Sequence, residues 1–447
     1  METQTSKSVI NRWWVVVGGI LIQLSLGAIY AWSAFTGKLT AEPFGFTKTQ
    51  TQLIFSLGLA AFAVVMALVA GAWQKRSGPR IVAVTGGLVL GLGYIIAGLS
   101  GTNFWGILLG VGLLGGAGIG LGYVCPIACL VKWFPDKKGL ITGLAVAGFG
   151  FGALIWIKLT SGFSFGQLGG VNIDLTPGWK GLYGMGLSVS KVFMLYGVIF
   201  AALVILGSLV MVNPPDGWVP EGWTPPAGAA ASTGGSINFT VRQMVATAQF
   251  WILFLTFTAG AMAGLMIIGI IGLFGKDQLA AAGMTDAAKI SIITGTAWGL
   301  FGSMLNGVGR IVWGSISDRI GRKTAIVLMT AIQGIAMIMF YFVARFEWGL
   351  YLSAALIGFN FGGNFALFPA ATADYFGNKN VGTNYPWVFL AYAVGGIAGP
   401  LLGGKMGDAK AWAWAFIPAA VACLIMAAVA ATLKPPKQVP EAAAANN

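Results

Sequence analysis

Apolar residues along this chain neither alternate with polar ones nor recur at a helical spacing. They run almost unbroken for 20 residues or more, then stop at short clusters of Lys, Arg, Asp, Gly or Pro. An α-helix needs about 20 apolar residues to cross the hydrocarbon core of a bilayer. The pattern predicts twelve membrane-spanning helices, at 14–35, 51–74, 80–99, 104–130, 138–160, 191–213, 248–273, 288–316, 323–345, 347–372, 381–407 and 411–433. Several exceed the minimum, which leaves room for tilt. No segment between runs exceeds about 35 residues, too short for a soluble catalytic domain. The stretch "METQTSKSVINRWW" leads into a first run too long for a signal-peptide core, with no small-residue cleavage site, and reads as an uncleaved span. The expected class is an all-α membrane protein.

Two stretches break the rhythm: "SGFSFGQLGGVNIDLTPGWKG" after the fifth run and "NPPDGWVPEGWTPPAGAAASTGGS" after the sixth. The second, rich in Pro, Gly and small residues, reads as an irregular linker. It divides the chain into a first six-helix unit (1–213), a linker (214–247), a second six-helix unit (248–433) and a tail (434–447). The units resemble each other. "GAWQKRSGPR" from Gly71 and "GSISDRIGRK" from Gly314 are offset by 243, and Trp133-Phe134 and Tyr375-Phe376 by 242. Two motifs on different loops with nearly one offset indicate an internal duplication, a recurring architecture of secondary transporters whose site lies between the repeats.

Composition sharpens this picture. The chain is 57% apolar and 9% charged, against about 25% charged in an ordinary soluble domain. The formal charge of +13 resides mostly in short loops, where it reads as a topology signal rather than a nucleic-acid surface. With the N-terminus in the cytoplasm, 15 of the 26 Lys and Arg residues fall on cytoplasmic segments and 10 on the other side. That bias favours both termini inside. Cys125, Cys129 and Cys423 lie in apolar runs, and there is no histidine. A metal site and histidine proton relays are therefore not expected, nor any cofactor.

The motif "GSISDRIGRK" resembles the loop motif of the major facilitator superfamily. It presents Gly314, Asp318, Arg319, Gly321 and Arg322. The first-half copy matches at Gly71, Arg76, Gly78 and Arg80, but has Lys75 in place of an acid and Pro79 in place of an Arg. The charge latch attributed to the motif is thus not expected in the first half. The segments "LGAIYAWSAF", "KWFPDKKGLITGLAVAGFGFG", "FPAATADYFG" and "NYPWVFLAYAVGG" are similar to the oxalate:formate antiporter family and its bacterial monocarboxylate-transporting relatives. This resemblance implies twelve helices in two bundles, alternating access and small carboxylate substrates.

Into the eighth run, after the uncharged "ISIITGTAWGLFGSML", the sequence places Arg310. It precedes Asp318 by eight residues, about 12 Å along a helix. A cation at a span centre costs about 2.5–3.5 kcal/mol on insertion scales. Every Asp and Glu falls at a loop or span end, so the natural partner is a bound carboxylate, held by two parallel hydrogen bonds. The alternative is that Arg310 braces helices through backbone carbonyls. The resemblance favours the first reading, because the family's carboxylate-binding Arg lies on the eighth span. Asn306, at i−4, shares its face. Phe361 and Phe365 form an i, i+4 pair, and Phe389 and Tyr392 an i, i+3 pair. Tyr30 and Tyr123 match family tyrosines on the first and fourth spans. Lys158, Lys191 and Lys405 lie near span ends on the outer side, where snorkelling is easy, and stay outside the predicted site. In oxalate-transporting members a Lys on span eleven supplies a second cation; here Tyr392 stands in that place, which argues for a monocarboxylate.

The resulting expectation is a transporter of lactate-, pyruvate- or formate-like acids. It would be monomeric, in the plasma (inner) membrane, and coupled to protons or to exchange. An anion channel is the competing class. A membrane-embedded enzyme lacks a nucleophile–base pair.

Overall fold

A computed structural model describes residues 10–134, 138–162, 164–168, 171–174, 180–215, 218, 220, 238–377 and 380–436. Ten helices are long and apolar enough to cross a membrane. One of them, Lys48–Leu99, is two helices in one: at Gly78 the backbone leaves the helical region (φ 77°, ψ 166°). A further helix runs through 287–320 and contains Arg310. Asn306, Arg310, Asp318 and Arg319 lower its hydropathy, which is why apolarity alone passes over it. The described residues therefore form twelve long helices. They are α1 (Arg12–Leu39), α2 (48–77), α3 (79–99), α4 (104–133), α5 (Lys138–Ser161), α6 (Val189–Ser208), α7 (Ala248–Ala281), α8 (287–320), α9 (Arg322–Val343), α10 (Glu347–Phe376), α11 (Val381–Asp408) and α12 (Ala413–Ala430).

Helix starts follow local chemistry. Thr47 and Gln50 make a capping box at α2, and Asn103, Ser188, Thr247 and Asp286 cap α4, α6, α7 and α8 through their side chains. Each satisfies amides that a helix start leaves unpaired. Several helices depart from α-geometry inside the span. A 3-10 stretch covers Gly27–Ala31 in α1, and π-turns cover Met66–Ala70, Leu108–Gly115 and Ala297–Gly302. Periodicity alone does not reveal these. The segment after α5, read as irregular, contains an antiparallel hairpin, β1 (Ser164–Leu168) with β2 (Val171–Asp174). The linker falls largely outside the described residues. Its end contains a short helix, Val241–Val245, and Phe239 docks on the second half: its amide donates to Phe376 O and its carbonyl accepts from Asn380 and Asn384.

Helices α1 to α6 pack with one another, and α7 to α12 do the same. The two bundles meet where α2 lies on α11 and α5 on α8, with the end of α1 against α7. The repeat is visible in the backbone. Gly78 and Gly321, 243 apart, have φ 77° and 85°, a region costly for any residue with a Cβ. Each turns the chain sharply between two spans.

Candidate functional site

Helices α5 and α8 cross where both carry glycine. A Cβ on Gly150 would lie 2.7 Å from Asn306 Oδ1, and one on Gly307 would lie 2.7 Å from the Phe151 ring. The absence of side chains lets the backbones approach until Arg310 reaches across the interface. Its Nη1 donates to Val146 O of α5 at 3.0 Å, and its Nε to Asn306 Oδ1 at 3.2 Å. Arg310 is 3% exposed. Its Nη2 and the amide Nδ2 of Asn306 are buried and have no hydrogen-bond partner among the described residues. The bracing contact to a backbone carbonyl therefore exists, and it uses only part of the guanidinium.

Aromatic rings from both bundles surround this cation. Its Cζ lies 4.2 Å from the Phe365 ring centroid and 5.9 Å from that of Phe149, in cation–π range. Phe361 touches Phe365 and Tyr30, and Phe389 touches Phe365, Tyr392 and Tyr123. The Tyr30 and Tyr392 hydroxyls are 3.0 Å apart, joining the first bundle to the second. Thus Arg310, Asn306, Tyr30, Tyr123, Phe361, Phe365, Phe389 and Tyr392 all fall in one cluster. Sequence reasoning missed Phe62 and Phe149. Phe62 contacts Tyr123, Phe149, Phe389 and Tyr392; Phe149 contacts Tyr30 and Tyr123. Phe149 had a signal, its place between Gly148 and Gly150 where helices can approach. Phe62 had none.

Lys158 corrects an expectation. It does not snorkel. It is 2% exposed, and its Nζ donates to Thr296 Oγ1 of α8 at 3.2 Å. The end-of-span argument failed because α5 turns this face toward the other bundle rather than toward lipid or water. Lys191 and Lys405 are exposed.

The motif regions differ between halves. Arg322 pairs with Asp318 at 2.6 Å and with Asp374 at 2.9 Å, and also bonds Ser317. Arg319 is exposed, and Gly314 has only Ala366 near its missing Cβ. In the first half, Arg80 bonds Leu209 O, while Lys75 and Arg76 are exposed and Gly71 has open space beside it. Lys132 stands where the second half has Asp374 by the 242 offset. The ion-paired latch is present on the second half only. The three cysteines are buried and free, and no metal-ligand cluster occurs among the described residues.

At the end opposite these motif turns, α1, α5, α7 and α8 enclose a cavity of about 600 Å³, bordered by Lys38, Lys276, Ile157, Ser161, Thr294 and Gly295 among others. Trp298, fully buried in the α8 π-turn, donates to Tyr30 O at 3.0 Å and separates this cavity from Arg310. Across the same end, Asp408 of α11 accepts from the Lys48 and Thr49 amides that begin α2, at 2.7 and 2.8 Å. Lys48 Nζ reaches Asp277 of α7 at 2.6 Å.

Two six-helix repeats enclosing a buried cation at their interface define a multi-pass secondary transporter. The chain belongs to the Major Facilitator Superfamily, whose sequence profile matches residues 15–307 and 280–446. It is 26% identical to the oxalate:formate antiporter of Oxalobacter formigenes, over 95% of this chain and 92% of that one. It is 26% identical to apicoplast pyruvate carrier 1 of Toxoplasma gondii, over 87% of this chain and 82% of that one. Among solved structures it resembles a bacterial homologue of the human lysosomal transporter Spinster, in an inward-facing and unoccupied conformation. That match has TM-score 0.61 and 16% identity over 94% and 95% of the two chains, and bears on the fold alone.

Proposed function

We propose that this protein carries small monocarboxylates of the lactate, pyruvate or formate type by alternating access, with Arg310 as the carboxylate site and protons as the coupling ion. The observation that carries this reading is the buried guanidinium whose Nη2 has no partner, beside an Asn306 amide nitrogen also without one. A desolvated cation of this kind favours an anion that completes its hydrogen bonds. The aromatic rings suit the short apolar body of such an acid and leave little that would bond a second carboxylate. A relative that exchanges oxalate for formate and another that carries pyruvate support the substrate class. The antiporter relative also keeps strict exchange as the second reading.

The test is thermal stabilisation of the purified protein across a panel of small carboxylates, since a ligand bound to the folded state raises Tm by mass action. Stabilisation by monocarboxylates in the wild type, absent in Arg310→Ala, is the expected result. Stabilisation that survives Arg310→Ala would remove this residue from the site. The Lys/Arg bias places the motif turns, both termini and the linker 214–247 in the cytoplasm of a monomer in the inner membrane. Cysteines engineered into the linker should resist an impermeant thiol reagent on intact cells; rapid labelling would reverse the orientation.

A further inference from the structure

The cavity opposite the motif turns and the Arg310 cluster are separate spaces, and a carboxylate moving between them must pass the layer that divides them. Two contacts between the bundles form this layer. One is Trp298 to the Tyr30 carbonyl. The other is Lys158 to Thr296. Their chain neighbours Ile157, Ser161, Thr294 and Gly295 border the cavity floor, so the lysine flanks the point where the cavity ends. Lys158 is 12 positions beyond Val146, the carbonyl partner of Arg310, which is about 18 Å along α5. No small carboxylate spans that distance.

We propose that Lys158 and Thr296 form a second, transient anion site, a way-station that accepts the carboxylate from the cavity and releases it toward Arg310. This rests on the monocarboxylate reading of Arg310 and extends it to the route. The page shows a series of cations along one line of access: Lys38 and Lys276 at the cavity wall, Lys158 in the dividing layer, Arg310 at the centre. A lined series of like charges raises the local concentration of a counter-ion and speeds its arrival. Holding helices together does not require a lysine here, because a neutral amide makes the same interhelical hydrogen bond without the cost of a buried charge. The ammonium matters for an anion. The hydroxyl of Thr296 can donate to a carboxylate as readily as it now accepts from Lys158. The site also lies beside the α8 π-turn, Ala297–Gly302. Its irregular hydrogen bonding gives the helix a place to bend, so a movement there would shift Trp298 and Thr296 together.

The experiment compares wild type, Lys158→Gln, Lys158→Arg and Arg310→Ala with labelled pyruvate, by equilibrium binding in detergent and by initial uptake into proteoliposomes. Lys158→Gln keeps side-chain length and a donor toward Thr296 while removing the charge. The expected result is an equilibrium affinity close to wild type, with kcat/KM for uptake about tenfold lower or more, and recovery of most of it in Lys158→Arg. A structural role would not separate affinity from rate, nor depend on charge. Unchanged uptake in Lys158→Gln overturns the proposal. So does a loss of affinity equal to that of Arg310→Ala, which would place Lys158 in the central site. If wild type binds none of pyruvate, lactate, formate and acetate, the underlying monocarboxylate reading fails, and the way-station falls with it.

Discussion

Arg310 holds the bundles together and presents free hydrogen-bonding capacity at once, and the two roles separate under substitution. Arg310→Ala loses the bond to Val146, about 0.5–1.5 kcal/mol net for an ordinary hydrogen bond and up to about 3 for a charged one, so the protein should remain folded. Carboxylate binding should fall by about 2–5 kcal/mol, the cost of truncating one partner of a buried charge pair. Arg310→Lys keeps the charge but not the planar fork, and most uptake should be lost with it. Near wild-type uptake by either variant would contradict the assignment. Tyr392 tests substrate charge. Its ring stacks on Phe389 at 5.0 Å and its hydroxyl meets Tyr30. A bound dianion would leave one charge uncompensated beside Arg310, which is costly in a dry site. Tyr392→Lys adds a cation there and should weaken monocarboxylate uptake while improving dicarboxylate binding, read as competition of oxalate against labelled pyruvate. No gain for oxalate would reject the charge count. Arg310 was legible because a lone cation in an apolar run is rare. The ring partners were less so. With 29 Phe in the chain, a residue such as Phe62 looks like any lipid-facing ring until tertiary packing turns it inward.

At the scale of elements, the helices were readable from apolar length and the glycine turns from the repeat, but the contacts between helix ends were not. Nothing in the sequence links Asp408, at the end of α11, with the start of α2. In the structure Asp408 accepts from the Lys48 and Thr49 amides and the Thr49 hydroxyl, acting as a helix cap supplied by the opposite bundle. Lys48 adds its ion pair with Asp277 and lies over the Trp412 ring at 4.9 Å. Gln52, one turn further along α2, donates to Gly269 O of α7. Together these clamp α2 against the second bundle. Losing a cap costs about 0.5–2 kcal/mol, enough to shift a balanced conformational equilibrium several-fold. Asp408→Ala should therefore open this end. With the native cysteines buried, a cysteine placed at Gln52 should react faster with a thiol reagent in the Asp408→Ala background than in wild type. Equal rates would show that the clamp does not hold the gate. The motif end is asymmetric in the opposite sense. Arg322 is locked by Asp318 and Asp374, whereas the first half offers Lys75, Pro79 and Lys132 at the matching positions, so the latch is built from one bundle only.

For the whole molecule, the disposition of acids constrains how transport is coupled. Among the described residues, Glu42, Asp277, Asp286, Asp318, Glu347, Asp374 and Asp408 all lie at helix ends or in turns, and the chain has no histidine. No carboxyl or imidazole from these positions reaches the Arg310 cluster to take up a proton as the substrate binds. If protons travel with the substrate, the bound acid is the group left to carry one, with the Tyr30–Tyr392 hydroxyl pair next to it as a hydrogen-bonding route between the bundles. The charge of Arg310 is then the same at the start and end of each cycle, and one carboxylate moves with one proton. Net transport is electroneutral on that count. Uptake of labelled pyruvate into proteoliposomes should accelerate when the outside is made acidic and should not respond to a membrane potential imposed at constant pH. Uptake driven by potential alone and indifferent to pH would exclude proton symport. Uptake that needs unlabelled carboxylate inside, whatever the pH gradient, would instead establish exchange, in which the return of the empty Arg310 site is the forbidden step because its guanidinium would cross the closed conformation without a counter-charge.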